Sequence, residues 1–182
     1  MPVIWRSGSV AVMDATRETC PGCGGLFAPQ DGPVHDYMIS SPACWHGFGC
    51  LLACEYGDPA LMDVHRLSVD TYAVQHPGNG LDRRAIQSVG LHLARLLVQL
   101  ETPQGPRETN EVMLGFAARK DSLRHLAPPD RFTLTIADIA PFSGGPRHAG
   151  MVREWAASTW DDWHKHHGYI RGWVAEGAPG LR

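Results

Sequence analysis

The sequence predicts a mostly α-helical, single-domain bundle of five or six helices, with a metal-binding loop near its N-terminal end. Apolar residues recur every three or four positions over several long stretches, which is typical of amphipathic helices. Capping residues and Gly/Pro stops bound these stretches. A CPGCG motif with a third cysteine downstream is typical of a zinc knuckle. We expect residues 1–57 to hold the knuckle and the first helix, and residues 58–182 to complete the bundle.

Composition and charge narrow the function classes. The chain has 182 residues, of which 43% are hydrophobic and 19% are charged, as in an ordinary soluble domain. Its net charge of −3 offers no basic field, so we expect neither nucleic acid nor a membrane as a partner. The first twelve residues lack the apolar core of a secretory signal, so we expect a cytoplasmic protein. Five cysteines in that reducing compartment favour metal ligands or buried thiols over disulfides.

Three cysteines are the main metal-ligand candidates. Cys20 and Cys23 flank a Pro-Gly turn that can direct both sulfurs at one ion. Cys44 follows twenty-one residues after Cys23, in the first turn of a predicted helix, where free amides and the helix dipole stabilise a thiolate. Sulfur ligands favour zinc over hard cations, with iron in a rubredoxin-like site as the second candidate.

The fourth ligand is open. His35 lies between the two halves of the motif and can complete a Cys3His site, so we favour it. Cys50 is the second candidate, whereas His46 is two residues from Cys44 and points to another side of the helix. A redox dithiol is a further alternative for Cys-Pro-Gly-Cys, but two glycines and a loop follow it instead of a helix.

Two helices follow the knuckle. Ser41 and Pro42 form an N-cap and first-position proline, which predicts a helix over residues 42–56 with Gly57 as its stop. A second helix runs over residues 61–76 and ends at Pro77-Gly78. One face of it carries residues spaced four, three and four apart: His65, Val69, Tyr72 and His76.

The middle of the chain gives weaker signals. Asp82 caps a third helix that reaches about Glu101, and Asn110 is the expected cap of a shorter helix to Lys120. Residues 131–140 fit either a short strand or a helical turn. Weak alternation over residues 9–12 fits either a short strand or an extended lead-in.

A last long helix is expected from Pro146 to Glu176. Large apolar residues recur on it at intervals of three or four, including Trp155, Trp163 and Trp173. Because each tryptophan buries about 150–250 Å², we expect this helix to be the central packing element of the bundle.

Histidines on three of these helices form a second candidate site. Bundles build metal and cofactor sites from side chains on facing helices. His65 belongs to this group, and the candidate catalytic residues are His76, His92, His148 and His166. The alternative, equally supported, is a set of hydrogen-bonded core histidines.

Helix geometry restricts which histidines can meet. Residues 148 and 166 are eighteen positions apart, about 27 Å along an unbroken helix, so they cannot share one site. We favour a pairing of His92 with His148. Asp162 and His166 are four apart and can serve one ion.

The chain resembles an uncharacterised bacterial family, a domain of unknown function. The resemblance covers most of the chain except residues 102–126, and it implies membership and a zinc-type knuckle but no activity. Its motifs are CPxCG at residues 20–24, His35, SPxCW at 41–45, VDxYAVQHPG at 69–78, QSVxxHL at 87–93, His148, and the Trp/His-rich stretch at 155–173.

Two function classes follow. One is a metalloenzyme that acts on a small-molecule substrate in a histidine-lined pocket, through metal-activated water. The other is a non-catalytic, zinc-stabilised binding or adaptor protein. A site closed by four protein ligands favours the second, and a three-ligand site open to water favours the first.

Overall fold

The computed structural model describes residues 16–102 and 106–177 and is mostly helical, as predicted. This part of the chain contains seven α-helices and one two-stranded sheet. Each of its helices is too short or too polar to cross a lipid bilayer. The elements are β1 (Glu18–Thr19), β2 (Leu26–Phe27), α1 (Pro42–Gly57), α2 (Met62–Gln75), α3 (Arg83–Glu101), α4 (Pro106–Arg119), α5 (Ile136–Ile139), α6 (His148–Asp162) and α7 (His167–Gly177).

The CPGCG motif forms the turn of a small antiparallel hairpin. Glu18 of β1 pairs with Phe27 of β2. Two backbone hydrogen bonds close the turn, from the Cys20 amide to the Gly25 carbonyl at 2.8 Å and from the Gly24 amide to the Cys20 carbonyl at 2.9 Å. Gly24 has φ +77°, a left-handed conformation that glycine adopts without steric cost. The hairpin therefore presents both knuckle cysteines on one rigid turn.

Helices α1 and α3 begin where their caps predict. Ser41 Oγ accepts a hydrogen bond from the Cys44 amide at 3.2 Å, and Asp82 caps α3 through the Arg84 amide at 2.9 Å. A 3-10 turn at Pro59–Leu61 precedes α2. The Ser41 cap places Cys44 in the first turn of α1, as expected.

The central packing helix is α2, and the expectation that the last helix would have this role is wrong. It packs against α1, α3 and α6, and nine of its fourteen residues are buried. Polar side chains tie it to its neighbours. Asp70 accepts hydrogen bonds from His92 and Gln99 of α3, and Gln75 donates to Thr159 of α6. Because these polar residues interrupt its apolar stripe, the sequence pattern of α2 understates its burial.

The predicted last helix is interrupted, so the prediction of one continuous helix from Pro146 to Glu176 is wrong. Helix α6 ends at Asp162, a 3-10 turn covers His164–His166, and α7 then begins. Side chains stabilise this break. The His167 imidazole stacks on Trp160 and donates from Nε2 to the Trp160 carbonyl at 2.8 Å, while the Asp162 carboxylate accepts two hydrogen bonds from Thr133. Because of this break and the short α5, the described residues contain seven α-helices, whereas five or six were predicted.

The remaining differences lie in the connections. Helix α4 begins at Pro106, four residues before the expected Asn110 cap, because proline suits the first helical position. The undecided segment 131–140 contains α5, begun by a capping box of Thr135 and Asp138, so its helical alternative is correct. The expected strand or lead-in at residues 9–12 lies outside the described residues.

Truncating Trp155 tests the packing of α6. This side chain is fully buried, and we expect Trp155→Ala to lower the free energy of unfolding by about 3–5 kcal/mol, as for other buried aromatics. Leu114→Ala is the control, since Leu114 is 73% exposed, and it should change stability by less than about 0.5 kcal/mol. Urea denaturation measures both. Equal effects would contradict the assigned core.

Candidate metal centre

Three sulfurs and one imidazole nitrogen converge between the hairpin, α1 and the end of α2. Ligand atoms of Cys20, Cys23, Cys44 and His76 all lie within 4.8 Å of one another, and this cluster could hold a metal ion. Cys23 Sγ is 3.8 Å from Cys44 Sγ, and His76 Nε2 is 3.6 Å from Cys20 Sγ and 3.2 Å from Cys44 Sγ. All four side chains are at most 2% exposed. The three cysteines predicted from spacing thus lie together.

Each sulfur has one hydrogen-bond donor outside the cluster. The Gly25 amide donates to Cys23 Sγ and the Ser41 amide to Cys20 Sγ, both at 3.4 Å. The Tyr72 hydroxyl lies 3.5 Å from Cys44 Sγ, and burial raises the pKa of Tyr72, so its proton is available to that sulfur. Such donors spread the negative charge of thiolate ligands and orient them.

The tautomer of His76 suits ligation. Its Nδ1 lies 2.7 Å from the Tyr72 carbonyl oxygen, which can only accept, so Nδ1 carries the proton and donates. The Nε2 lone pair is then left to face the three sulfurs. His76 is also the C-cap residue of α2, and its ring stacks on Tyr72 at 3.8 Å. The end of α2 therefore fixes the direction of this ligand.

Without a cation, the three thiols compete to ionise, because one buried thiolate opposes the formation of another beside it. Hydrogen bonds from Cys23 and Cys44 lower the pKa of Cys20. The hydrogen bond with Cys20 raises the pKa of Cys23 to about 12. Hydrogen bonds with Cys20 and Cys23 raise the pKa of Cys44. The three thiols therefore do not ionise readily together. A bound metal cation removes this competition because it stabilises all three thiolates at once.

His35, the expected fourth ligand, does not join the cluster. Its ring packs edge-on against Tyr37 at 4.4 Å and lies 5.3 Å from the ring of Trp45, and its Nδ1 accepts a hydrogen bond from the Tyr37 amide at 3.4 Å. The structure places His76 there instead. Proximity in sequence favoured His35, whereas the VDxYAVQHPG motif, which ends a helix on a histidine, was the signal for His76.

The other two candidates for the fourth ligand also lie elsewhere. His46 and Cys50 are on the exposed side of α1, where Cys50 Sγ is 3.5 Å from His46 Nε2.

A buried carboxylate, Glu55 of α1, binds two of the remaining histidines. Its Oε2 is 2.8 Å from His65 Nδ1, and its Oε1 is 3.1 Å from His148 Nε2. Ser68 donates a further hydrogen bond to Oε1. Glu55 and His148 are completely buried, so this carboxylate joins α1, α2 and α6 inside the core.

His148 differs from His76 in a way that bears on metal binding. The Gly144 amide donates to His148 Nδ1 at 2.9 Å, so Nδ1 is an acceptor and the proton is on Nε2, directed at Glu55. A metal ion at Nε2 would require loss of this proton while Nδ1 stays unprotonated. The arrangement favours a hydrogen-bonded structural pair.

The remaining candidate histidines have separate partners. His92 Nδ1 is 2.6 Å from the buried Asp70 carboxylate, and His166 Nε2 donates to the Ala127 carbonyl at 2.8 Å. The expected partner of His166, Asp162, bonds Thr133 instead. His92 and His148 thus bond different carboxylates. The proposed catalytic grouping of histidines therefore finds no shared centre among these contacts.

A cleft of about 390 Å³ lies beside the knuckle. The dipeptides Pro21-Gly22 and Pro77-Gly78, which adjoin three residues of the cluster, form part of its wall. Aliphatic side chains and two further prolines line most of the remainder, and its titratable lining residues are His125 and Asp130. The cleft therefore adjoins the knuckle, and its exposed wall is about half polar although most of its lining side chains are apolar.

Comparison with protein-family models identifies the family of the chain. Residues 18–164 match the model of a family described as "Family of unknown function (DUF5946)". The chain belongs to this family. The resemblance proposed from the sequence is thereby confirmed. No curated protein and no solved structure matches the chain. The DUF5946 match includes all four residues of the Cys3His cluster and Glu55, His65 and His148, but it stops before α7.

Gly22 tests how closely the knuckle packs on the end of α2. A Cβ at this position would lie 2.1 Å from the Ile39 carbonyl oxygen and 2.6 Å from His76 Cδ2. We expect Gly22→Ala to displace the knuckle from His76, and so to weaken metal binding and lower the melting temperature. Gly49→Ala is the matched control, because nothing lies within 4 Å of a Cβ there. It should stabilise the protein by about 0.5–1 kcal/mol, since alanine favours helix. If Gly22→Ala behaved like this control, the close approach would be incorrect.

Glu55→Gln tests the buried carboxylate. The Glu55 carboxylate accepts hydrogen bonds from His65, His148 and Ser68. A glutamine would present an NH2 group to one of these three donors, so a buried polar group would lose its partner. We expect the free energy of unfolding to fall by about 1–3 kcal/mol. The control is Glu154→Gln on the exposed side of α6, which should change it by less than about 0.5 kcal/mol. Urea denaturation of both variants decides. A neutral effect of Glu55→Gln would show that the carboxylate has no structural role.

Proposed function

We propose that this protein is a non-catalytic, zinc-stabilised binding protein whose metal centre is structural. The observation that carries this proposal is the closed, fully buried Cys3His cluster. Structural zinc sites have four protein ligands, whereas catalytic ones leave a position for water or substrate. Four side-chain ligands here would fill a tetrahedral shell.

The distances support zinc as the metal. Zn–S bonds of about 2.3 Å and Zn–N bonds of about 2.0–2.1 Å in a tetrahedron separate two sulfurs by about 3.8 Å and a sulfur and a nitrogen by about 3.6 Å. Cys23 Sγ and Cys44 Sγ are 3.8 Å apart, and Cys20 Sγ and His76 Nε2 are 3.6 Å apart. Cys44 Sγ and His76 Nε2, at 3.2 Å, are closer than such a tetrahedron requires and would have to separate slightly around the ion. Thiolate and imidazole donors also favour zinc over magnesium or calcium. Iron, the second candidate, also accepts such ligands, so metal analysis must distinguish the two.

The position of the cluster supports a structural role. A zinc ion there would bind the hairpin through Cys20 and Cys23, α1 through Cys44 and the end of central helix α2 through His76. Because such a site does not exist in the unfolded chain, its binding energy, about 10–16 kcal/mol for zinc-finger peptides, is folding energy. The ion would thus hold the hairpin and the long loop before α1 onto the bundle.

The cleft beside the knuckle supports a binding function. Its volume of about 390 Å³ is within the usual range of about 300–1,000 Å³ for small-molecule sites, and polar and apolar surface contribute about equally to its wall. Because Pro21-Gly22 and Pro77-Gly78 border both the cleft and the cluster, the metal would also set the shape of the cleft. A wall of this mixed character suits a small molecule that carries both apolar and hydrogen-bonding groups. The metalloenzyme alternative has weaker support, since the candidate histidines other than His76 bond protein carboxylates or carbonyls.

Metal analysis of protein purified without added metal tests this proposal. We expect about one zinc per chain, lost in the Cys20→Ser/Cys23→Ser double variant and in His76→Ala, with a large fall in melting temperature. His35→Ala is the control, because its ring lies outside the cluster, and it should keep the metal. Full metal content in the double variant would refute the proposal. Loss of metal in His35→Ala but not in His76→Ala would restore His35 as the ligand.

A further inference from the structure

A second pair of metal-ligating side chains lies on the exposed face of α1, away from the buried cluster. Cys50 Sγ and His46 Nε2 are 3.5 Å apart, and both residues are exposed. We propose that His46 and Cys50 form an exchangeable surface site for a thiophilic divalent metal ion, with Zn²⁺ as the natural occupant. This site is independent of the buried Cys3His cluster, which it neither overlaps nor requires.

The helix sets the spacing that such a site needs. Residues four apart are neighbours on one helix face, and two histidines at that spacing supply zinc ligands in metalloprotease helices. A tetrahedral zinc ion separates its sulfur and nitrogen ligands by about 3.6 Å. The observed 3.5 Å matches this separation, so the metal-free side chains already have the spacing that ligation requires.

The rigidity of the backbone favours binding further. Helix α1 is capped by Ser41 and packed on α2, and its buried residues include Phe48, Leu51 and Glu55, on the side opposite to the pair. Little backbone ordering is therefore needed when the ion binds. On binding, Cys50 loses its thiol proton to solvent and the Sγ–metal bond forms, while the Nε2 lone pair of neutral His46 completes the chelate. Binding should therefore strengthen as the pH rises.

The protein supplies only two ligands here, which makes the site exchangeable. Cys54, one turn further along α1, is half-buried, and a Cβ at Gly144 would lie 3.3 Å from its sulfur, so Cys54 packs against the segment before α6. It does not converge with the other two in a three-ligand group among the described residues. Two coordination positions remain for water or for ligands from another molecule. The ion should thus bind more weakly than in the buried cluster and exchange with solvent.

Titration of the zinc-loaded protein with Co²⁺, in a phosphine reductant that prevents disulfide formation, tests the site. Co²⁺ binds less tightly than Zn²⁺ to a given site, so the buried zinc should stay in place. We expect one Co²⁺ per chain to bind with the absorption of a cobalt–thiolate bond. Cys50→Ser should abolish that absorption, and His46→Gln should weaken binding more than about tenfold, the lower range for loss of a supporting residue. Cys54→Ser is the matched control and should bind as the wild type does.

The outcomes separate this inference from the structural zinc proposal. Zinc content is measured in every variant before titration, and a value near one per chain shows that the buried centre is intact. If the wild type then binds no Co²⁺ through thiolate, or if Cys50→Ser binds as well as the wild type, the surface site does not exist. If Cys54→Ser loses binding as fully as Cys50→Ser, the ligand pair is assigned incorrectly. A zinc content well below one per chain in the wild type would instead contradict the buried centre.

Discussion

The arrangement of three buried sulfurs around one imidazole is the constraint on which the rest of the structure depends. Sulfurs this close cannot all ionise without a cation, yet each has a hydrogen-bond donor suited to a thiolate. The four residues come from a hairpin, the first turn of α1 and the end of α2. A metal ion bound by all four would fix those three elements together, and α2 packs in turn against α3 and α6. The hairpin β1–β2 has only two residues in each strand, too few to be stable alone.

Histidine has two different structural roles in this bundle, and hydrogen-bond direction separates them. In His76 the Nδ1–H group donates a hydrogen bond to a backbone carbonyl, so the Nε2 lone pair is free for a metal. In His148 a backbone amide occupies Nδ1, which directs the Nε2 proton at the buried Glu55. Asp70 and His92 form another histidine–carboxylate pair between α2 and α3, in this case through Nδ1. Buried carboxylates need such partners, since an unpaired charge in a core is costly. The histidine-rich composition therefore supplies partners for buried carboxylates as well as one residue of the Cys3His cluster.

Local signals predicted much of the fold and three residues of the site. The Ser41 and Asp82 caps located α1 and α3, and the CPGCG turn with Cys44 located three sulfurs, because spacing within a turn and position in a helix determine those directions. The fourth position depends on the packing of α2 against the knuckle, a contact between residues more than thirty positions apart, and spacing carries no information about it. The break after Asp162 was likewise hidden, since it rests on hydrogen bonds from Thr133 and His167 and not on a glycine or proline. Membership in DUF5946 supplies no activity.

X-ray absorption at the zinc edge tests the central claim most directly, because it reports the ligands of the ion itself. The protein as purified should show three sulfur ligands at about 2.3 Å and one nitrogen ligand at about 2.0–2.1 Å, with no oxygen from water. His76→Ala should remove the imidazole signal, whereas His35→Ala should leave the spectrum unchanged. A first shell that contains water, or only two sulfurs, would contradict a closed structural centre. An imidazole signal that persists in His76→Ala would contradict the assignment of its fourth ligand.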